Sequence, residues 1–179
     1  MGDRASHVAE VIFDDVKVPR ENLLGQEGDG FKIAMQTLDE TRPGIGAAAV
    51  GVARRALDEA LKHCRERIQF GRPLIANQGL QFIIADMAMQ IAAARLLVWQ
   101  AAEKLNLGLD AGLESAMSKC FAADTAMKVA VDAVQLMGGY GYMRDYPLEK
   151  LMRDAKILQI YEGTNQVQRM VIAAALARP

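Results

Sequence analysis

From about residue 28 onward this 179-residue chain keeps one period. Apolar residues return every three or four positions, the spacing of a single helix face, with almost none of the alternation a strand would show. Over residues 46–68, Val52, Ala56, Ala60 and Cys64 share a stripe, while Arg54, Arg55, Asp58, Glu59, Lys62 and Arg65 mostly fall off it. Pro43 predicts the start or a kink of this helix, because proline suits a first turn and disfavours helix at Arg42 before it. A second helix is expected over 77–107, where Leu80, Ile83, Ile84, Met87, Ile91, Ala94 and Val98 hold the spacing and Gly108 supplies a stop. A third is expected over 113–137, ended by Gly138 and Gly139, and after a loop two shorter ones over 148–157 and 166–176. Long helices with short connections make an all-α, up-and-down helical bundle.

The N-terminal stretch departs from this period. Val11-Ile12-Phe13-Asp14-Asp15-Val16-Lys17-Val18-Pro19 reads as a strand. A lone strand leaves its backbone groups without partners, and no second convincing strand follows. The expectation is therefore an orphan N-terminal strand from a β-domain whose sheet lies outside this sequence. Residues 1–24 would be the tail of that domain and its linker, and 25–179 the helical domain. Gly25, Gly28 and Gly30 punctuate the junction, but without a strand-helix-strand crossover they are no dinucleotide fingerprint.

A formal net charge of −1 gives no reason to expect nucleic acid or an anionic membrane as partner. The alanine-rich stretches are interrupted by charges, so none reads as a bilayer span. The start lacks a basic region followed by an apolar one, which points to a cytoplasmic protein, or a mitochondrial matrix protein in a eukaryote. Cys64 and Cys120 lie far apart in helical pattern and read as reduced thiols. His7 and His63 are isolated from cysteine and from each other, so no metal site is expected.

Three polar, glycine-bearing stretches interrupt the helices. Arg65-Glu66-Arg67-Ile68-Gln69-Phe70-Gly71-Arg72-Pro73 places cations at a helix end; this is either plain capping or an anion site in which Arg67 forks onto a phosphate. Gln135-Leu136-Met137-Gly138-Gly139-Tyr140-Gly141-Tyr142 carries more glycine than a cap requires, as backbone does where something approaches closely. Gln159-Ile160-Tyr161-Glu162-Gly163-Thr164-Asn165-Gln166 sets a carboxylate between two helices, with Thr164 or Asn165 able to cap the second. Alone, Glu162 is one acid among 22 acidic residues and a solvated loop carboxylate is the simpler reading; a base working in an apolar pocket would look the same.

Taken together, in order and spacing, these stretches resemble the acyl-CoA dehydrogenase family over almost the whole chain. Phe13-Asp14-Asp15-Val16-Lys17-Val18-Pro19, Phe31-Lys32-Ile33-Ala34-Met35 and Arg153-Asp154-Ala155-Lys156 belong to the same match, and Thr41-Arg42-Pro43 looks most like the medium-chain branch. The resemblance implies roles by position. Glu162 matches the catalytic base; in some relatives the base instead stands at the position of Thr41. Arg67, Ile68, Gln69 and Gln78 match residues that hold the FAD nucleotide of a partner subunit, as do Gln135, Leu136, Met137, Gly138 and Gly139. Thr164, Asn165 and Gln166 match residues beside the flavin. Asp39, Glu40, Thr41, Arg42 and Gly163 match positions around the thioester substrate. Asn77 departs from the medium-chain pattern, which has histidine there.

The chemistry so implied is α,β-dehydrogenation of an acyl-CoA, with Glu162 removing the α-proton while the β-hydrogen leaves as hydride to FAD. The backbone N–H of Glu162 would help hold the charge gathering on the thioester carbonyl. A homotetramer built as a dimer of dimers and an electron-transferring flavoprotein as electron acceptor are implied as partners. Since the match begins near the end of the family's β-domain, Met1 is expected to be an internal methionine of a longer chain, and these residues alone to retain little FAD and turn over negligibly. Two alternatives stand beside this: a helical module that oligomerises without chemistry, and a flavin acyl-CoA oxidase sharing the same base.

Overall fold

The computed structural model describes residues 1–177. In chain order it contains α1 (Gly30–Glu66), a hairpin of β1 (Ile68–Gln69) and β2 (Arg72–Pro73), α2 (Gln78–Asn106), α3 (Gly112–Met137), the single turn α4 (Gly139–Tyr142), α5 (Leu148–Leu158) and α6 (Asn165–Leu176). This is the all-α bundle expected, and α2, α3, α5 and α6 begin and end within a residue or two of their predicted bounds.

Helix α3 forms the centre and packs against α1, α2, α4, α5 and α6. Its buried residues come from every side, as on a helix enclosed by others. By contrast α1 buries one stripe, Ala49, Ala53, Ala56, Ala60 and Cys64, and α2 another, Met87, Ile91, Ala94, Val98 and Ala101. Seams so rich in alanine let helix axes approach toward the short end of the usual range of about 8–10 Å. Bulk is supplied by a few larger buried residues, Met87, Val129, Leu136 and Leu148, each contributing roughly 1.5–3 kcal/mol relative to exposure.

Two expectations are corrected. Pro43 does not start a helix: α1 continues through it, 37 residues from Gly30 to Glu66. Proline in a helix interior forgoes a backbone hydrogen bond and disfavours helix at the preceding residue. Here Arg42 and Pro43 are both buried against the rest of the bundle, and this packing outweighs the local preference. Residues 11–18 pair with no strand among the described residues, as a strand orphaned from its sheet would not. Val11, Ile12, Phe13, Val16 and Val18 stay 59–79% exposed, and Asp15 turns left-handed at φ +47°, breaking the extended run. The chain instead pairs strands after α1, where Ile68 lies opposite Pro73 and Gln69 opposite Arg72. Phe70 (φ +52°) and Gly71 (φ +77°) form the left-handed two-residue loop that such a hairpin needs.

Second, α2 is long and apolar enough to cross a membrane by length and composition, with a mean hydropathy of 1.6 over its best 18-residue window. Asp86, Arg95 and Glu103 are spaced widely enough to leave such a window with at most two charges. Only 22% of that window is buried within the chain. Phe82, Met89, Leu96 and Trp99, which recur along one face, are each about 60% exposed.

Candidate active site

The segment joining α5 to α6 carries Glu162. Its backbone is left-handed (φ +52°), a conformation that costs a non-glycine residue about 1–3 kcal/mol and persists only where neighbours enforce it. Gly163 follows at φ +86°, a conformation that favours glycine, and a Cβ there would stand 2.6 Å from Gln168 Nε2 and displace that amide. Gln168 Nε2 donates to the carbonyls of Glu162 and Gly163, each at 3.1 Å. From α1, Thr41 Oγ1 donates to Glu162 Oε2 at 2.9 Å and Arg42 Nε donates to the Glu162 carbonyl at 3.5 Å. Arg42 also forms an ion pair with Asp39 one turn earlier. Thus Asp39, Thr41, Arg42, Glu162 and Gly163, spread over more than 120 positions, meet in one cluster. Glu40 is exposed and lies outside it. Thr41, at the position of the alternative base in some relatives, here hydrogen-bonds the Glu162 carboxylate itself.

Behind the loop lies a buried polar network. Lys119 is fully buried on α3, and its Nζ donates to the Gly163 carbonyl at 2.8 Å and to Asn165 Oδ1 at 2.9 Å. The Asn165 amide in turn donates to the Cys120 carbonyl at 3.1 Å and to Asp124 Oδ1 at 2.7 Å. Gln159 and Arg169 also donate to Asp124, each at 2.6 Å. Burial pushes the Asp124 carboxyl up, but hydrogen bonds from Arg169, Asn165 and Gln159 outweigh it and hold the group below the usual range. Burial lowers the Lys119 ammonium and raises the Cys120 thiol. Thr164 caps α6 by accepting from the Val167 N–H at 3.2 Å. Asn165 therefore turns inward, and Gln166 beside it is exposed. Among the described residues, Ser115 Oγ and Gln168 Oε1 are buried without a hydrogen-bond partner.

A different surface forms at the other end of α1. Arg67, Gln69, Gln135, Leu136, Met137, Gly138 and Gly139 line one groove of about 650 Å³, together with His63 and Tyr140. Gly138 ends α3 at φ +59°, and a Cβ on Gly138 or Gly139 would meet nothing within 4 Å, so the groove wall is open backbone. The Arg67 guanidinium stands 5.5 Å from the Tyr140 ring centre, and the centre of the His63 ring lies 5.8 Å from that of Tyr140. Burial and then the Arg67 charge push His63 below its ordinary value. Ile68 and Gln78 are exposed and do not line the groove. Asn77 accepts from Arg72 at 2.7 Å and donates to the Leu74 carbonyl at 3.0 Å, tying the hairpin to the start of α2.

The sequence reading missed Lys119, Asp124, Gln168, His63 and Tyr140. Lys119 left a signal: Ser115, Ala116, Ala122 and Ala123, one turn to either side, are all buried, and a lysine amid such positions is out of place. Tyr140 lay inside the glycine-rich stretch, but nothing local tied it to Arg67.

A family model described as "Acyl-CoA dehydrogenase, C-terminal domain" matches residues 28–177. An acyl-CoA dehydrogenase of Bacillus subtilis is 54% identical over 98% of this chain and 46% of its own length. The butyryl-CoA dehydrogenase structure from Megasphaera elsdenii superposes with a TM-score of 0.92 at 54% identity, covering 93% of this chain and 44% of that one. A chain in a structure described as the electron transferring flavoprotein of Acidaminococcus fermentans superposes with a TM-score of 0.93 at 58% identity, over 94% and 44%. This chain spans a little under half the length of the curated relatives it matches.

Proposed function

This chain belongs to the acyl-CoA dehydrogenase family, as its C-terminal domain, and on that premise we propose that it is the base-bearing part of an enzyme that converts an acyl-CoA thioester to the trans-2-enoyl-CoA. The observation that carries the reading is the Glu162 loop. Its carboxylate is held by one neutral donor, the Thr41 hydroxyl, and among the described residues no Lys or Arg forms an ion pair with it. One carboxylate oxygen is thereby oriented and the other remains to take the α-proton. The Glu162 N–H has no partner among the described hydrogen bonds, which leaves it available to the thioester carbonyl as negative charge gathers there.

The groove at the far end of α1 fits the nucleotide part of FAD. It offers an exposed guanidinium suited to a phosphate, an aromatic face, and glycine backbone that permits close approach. Arg67, Gln69 and residues 135–139 would hold it, with Ile68 and Gln78 at the margin and Thr164, Asn165 and Gln166 beside the ring of a flavin at the base loop. FAD, when bound, supplies the acceptor for the β-hydrogen as hydride. Arg42 on α1 and Arg67, which caps the C-terminal end of that helix, are 25 residues apart, roughly 37 Å along its axis. A single chain therefore places its base and its cationic groove at separate ends, and a flavin served by both needs two chains. That separation and the apolar outer face of α2 support a homo-oligomer, with a dimer of dimers as the proposed form. An electron-transferring flavoprotein is the proposed electron acceptor, fatty-acid β-oxidation the proposed setting and the cytoplasm the proposed compartment.

The test is anaerobic bleaching of the flavin by a saturated acyl-CoA in the full-length enzyme carrying this domain. Glu162→Gln keeps the side chain's size and its bond with Thr41. It is expected to slow bleaching by about ten-thousandfold, the upper end for loss of a general base, while acyl-CoA still binds. Bleaching at the wild-type rate would refute Glu162 as the base.

A further inference from the structure

Lys119 is the one fully buried lysine among the described residues, and the reaction outlined above does not use it. A buried ammonium is costly unless hydrogen bonds or a counter-charge replace its water. Here no carboxylate pairs with it directly; its acceptors are a backbone carbonyl and an amide oxygen, both neutral. It also sits at the N-terminal end of α6, whose dipole disfavours a cation, and the Arg42 cation is nearby; the Asp124 and Glu162 carboxylates favour its charge from a distance without bonding it. Stability of α6 therefore does not explain the residue. What Lys119 and Arg42 share is the object they hold: the two consecutive carbonyls of Glu162 and Gly163.

We infer that Lys119 is a positioning residue for the catalytic base, acting through the Gly163 carbonyl and Asn165 to set the backbone from which the Glu162 carboxylate projects. A trans peptide is planar, so drawing the Glu162 and Gly163 carbonyls into the bundle turns the following N–H groups to the opposite side. Arg42 and Gln168 fix the first of these peptides, and Lys119 and Gln168 fix the second. Between them Glu162 is kept left-handed, the conformation in which its carboxylate meets Thr41. Lys119 also fixes Asn165, the first residue of α6, and Asn165 is braced by Asp124 and the Cys120 carbonyl. The line from α3 to the base thus consists of rigid helix and short hydrogen bonds, with the loop itself as its last member.

This inference rests on Glu162 being the base, and the experiment separates the two. In the full-length flavoprotein, Lys119→Met keeps much of the volume and removes the charge. The expected result is normal FAD content and normal binding of an unreactive acyl-CoA analogue. Flavin bleaching by a saturated acyl-CoA is slowed by about a hundredfold, the size of effect a misplacement near 1 Å produces. The isotope effect on bleaching with α-deuterated substrate rises, because proton removal by a displaced base becomes more limiting, and kcat falls far more than KM changes. A purely structural lysine would alter the melting temperature and leave rate and isotope effect at wild-type values; that result overturns the inference. If Lys119→Met does not fold, Asn165→Ser decides. It removes one of the two acceptors, so a smaller rate loss with a raised isotope effect supports the inference, and wild-type values of both overturn it. If Glu162→Gln also bleaches at the wild-type rate, the base assignment itself has failed. If Glu162→Gln is inactive and Lys119→Met is not slowed, only the positioning role has failed.

Discussion

At one end of the bundle Thr41, Arg42, Lys119 and Gln168 converge on a single strained loop, and their side-chain donors are used inside the chain. At the other, Arg67 stands over Tyr140 beside bare glycine backbone, exposed and without a carboxylate partner among the described residues. The first end spends its hydrogen bonds on geometry. The second keeps its donors available, as a surface does when its counterpart comes from outside. The same helix, α1, supplies residues to both, so the difference lies in what packs around them: α3 and α6 enclose one end, while the β1–β2 hairpin, the ends of α1, α2 and α3 and the single turn α4 border an open groove at the other.

The largest way to break this comparison is Gly163→Ala. Strain at φ +86° and a Cβ in the space of Gln168 Nε2 should displace the base loop, slowing anaerobic bleaching in the full-length enzyme by about a hundredfold or more. If the loop accepts alanine without loss of rate, its geometry is not enforced as described. At the open end, Arg67→Met should weaken FAD retention by roughly ten- to a hundredfold, the equivalent of one charge-assisted hydrogen bond, with little change in the melting temperature of the flavin-free protein. Equal damage to folding would mean that this end is structural too.

Smaller effects separate the ends by pH and by simple stability. The Asp124 carboxyl lies below the ordinary aspartate value of about 3.9, so its folded-state value is below its unfolded one. Its stabilisation is then fully present above the unfolded value and is lost as pH falls through the folded value. Acid unfolding should accordingly be shallower below about pH 4 in Asp124→Asn than in wild type, measured by circular dichroism against pH. The smallest change is expected away from both ends. Lys128 pairs with Asp132 at 2.8 Å on an exposed stretch of α3, and Lys128→Ala should cost no more than about 0.5 kcal/mol by chemical denaturation.

Legibility in the sequence differed between these regions as well. The bundle was readable because a helix declares itself through local spacing, and the bounds of α2 and α3 follow from glycine and capping signals next to them. Pro43 misled because its preference is local while its burial is not. The stretch 11–18 differs: strand propensity is local, but a strand exists only with a partner, and none lies among the described residues. Glu162 was found through resemblance, since a lone acid in a polar loop carries no local mark. Lys119 was overlooked because its two acceptors lie 44 and 46 residues further along the chain.

What the sequence determined by itself is α2, α3, α5 and α6, the order of the long helices and the identity of the candidate base, all of which depend on neighbours within a few residues or on motifs read in line. The tertiary structure decided which polar residues would be spent inside and which left for a partner. That choice depends on burial and on hydrogen bonds between residues far apart in the chain, and it arises only when α3 is enclosed and the loop carrying Glu162 is pulled against it.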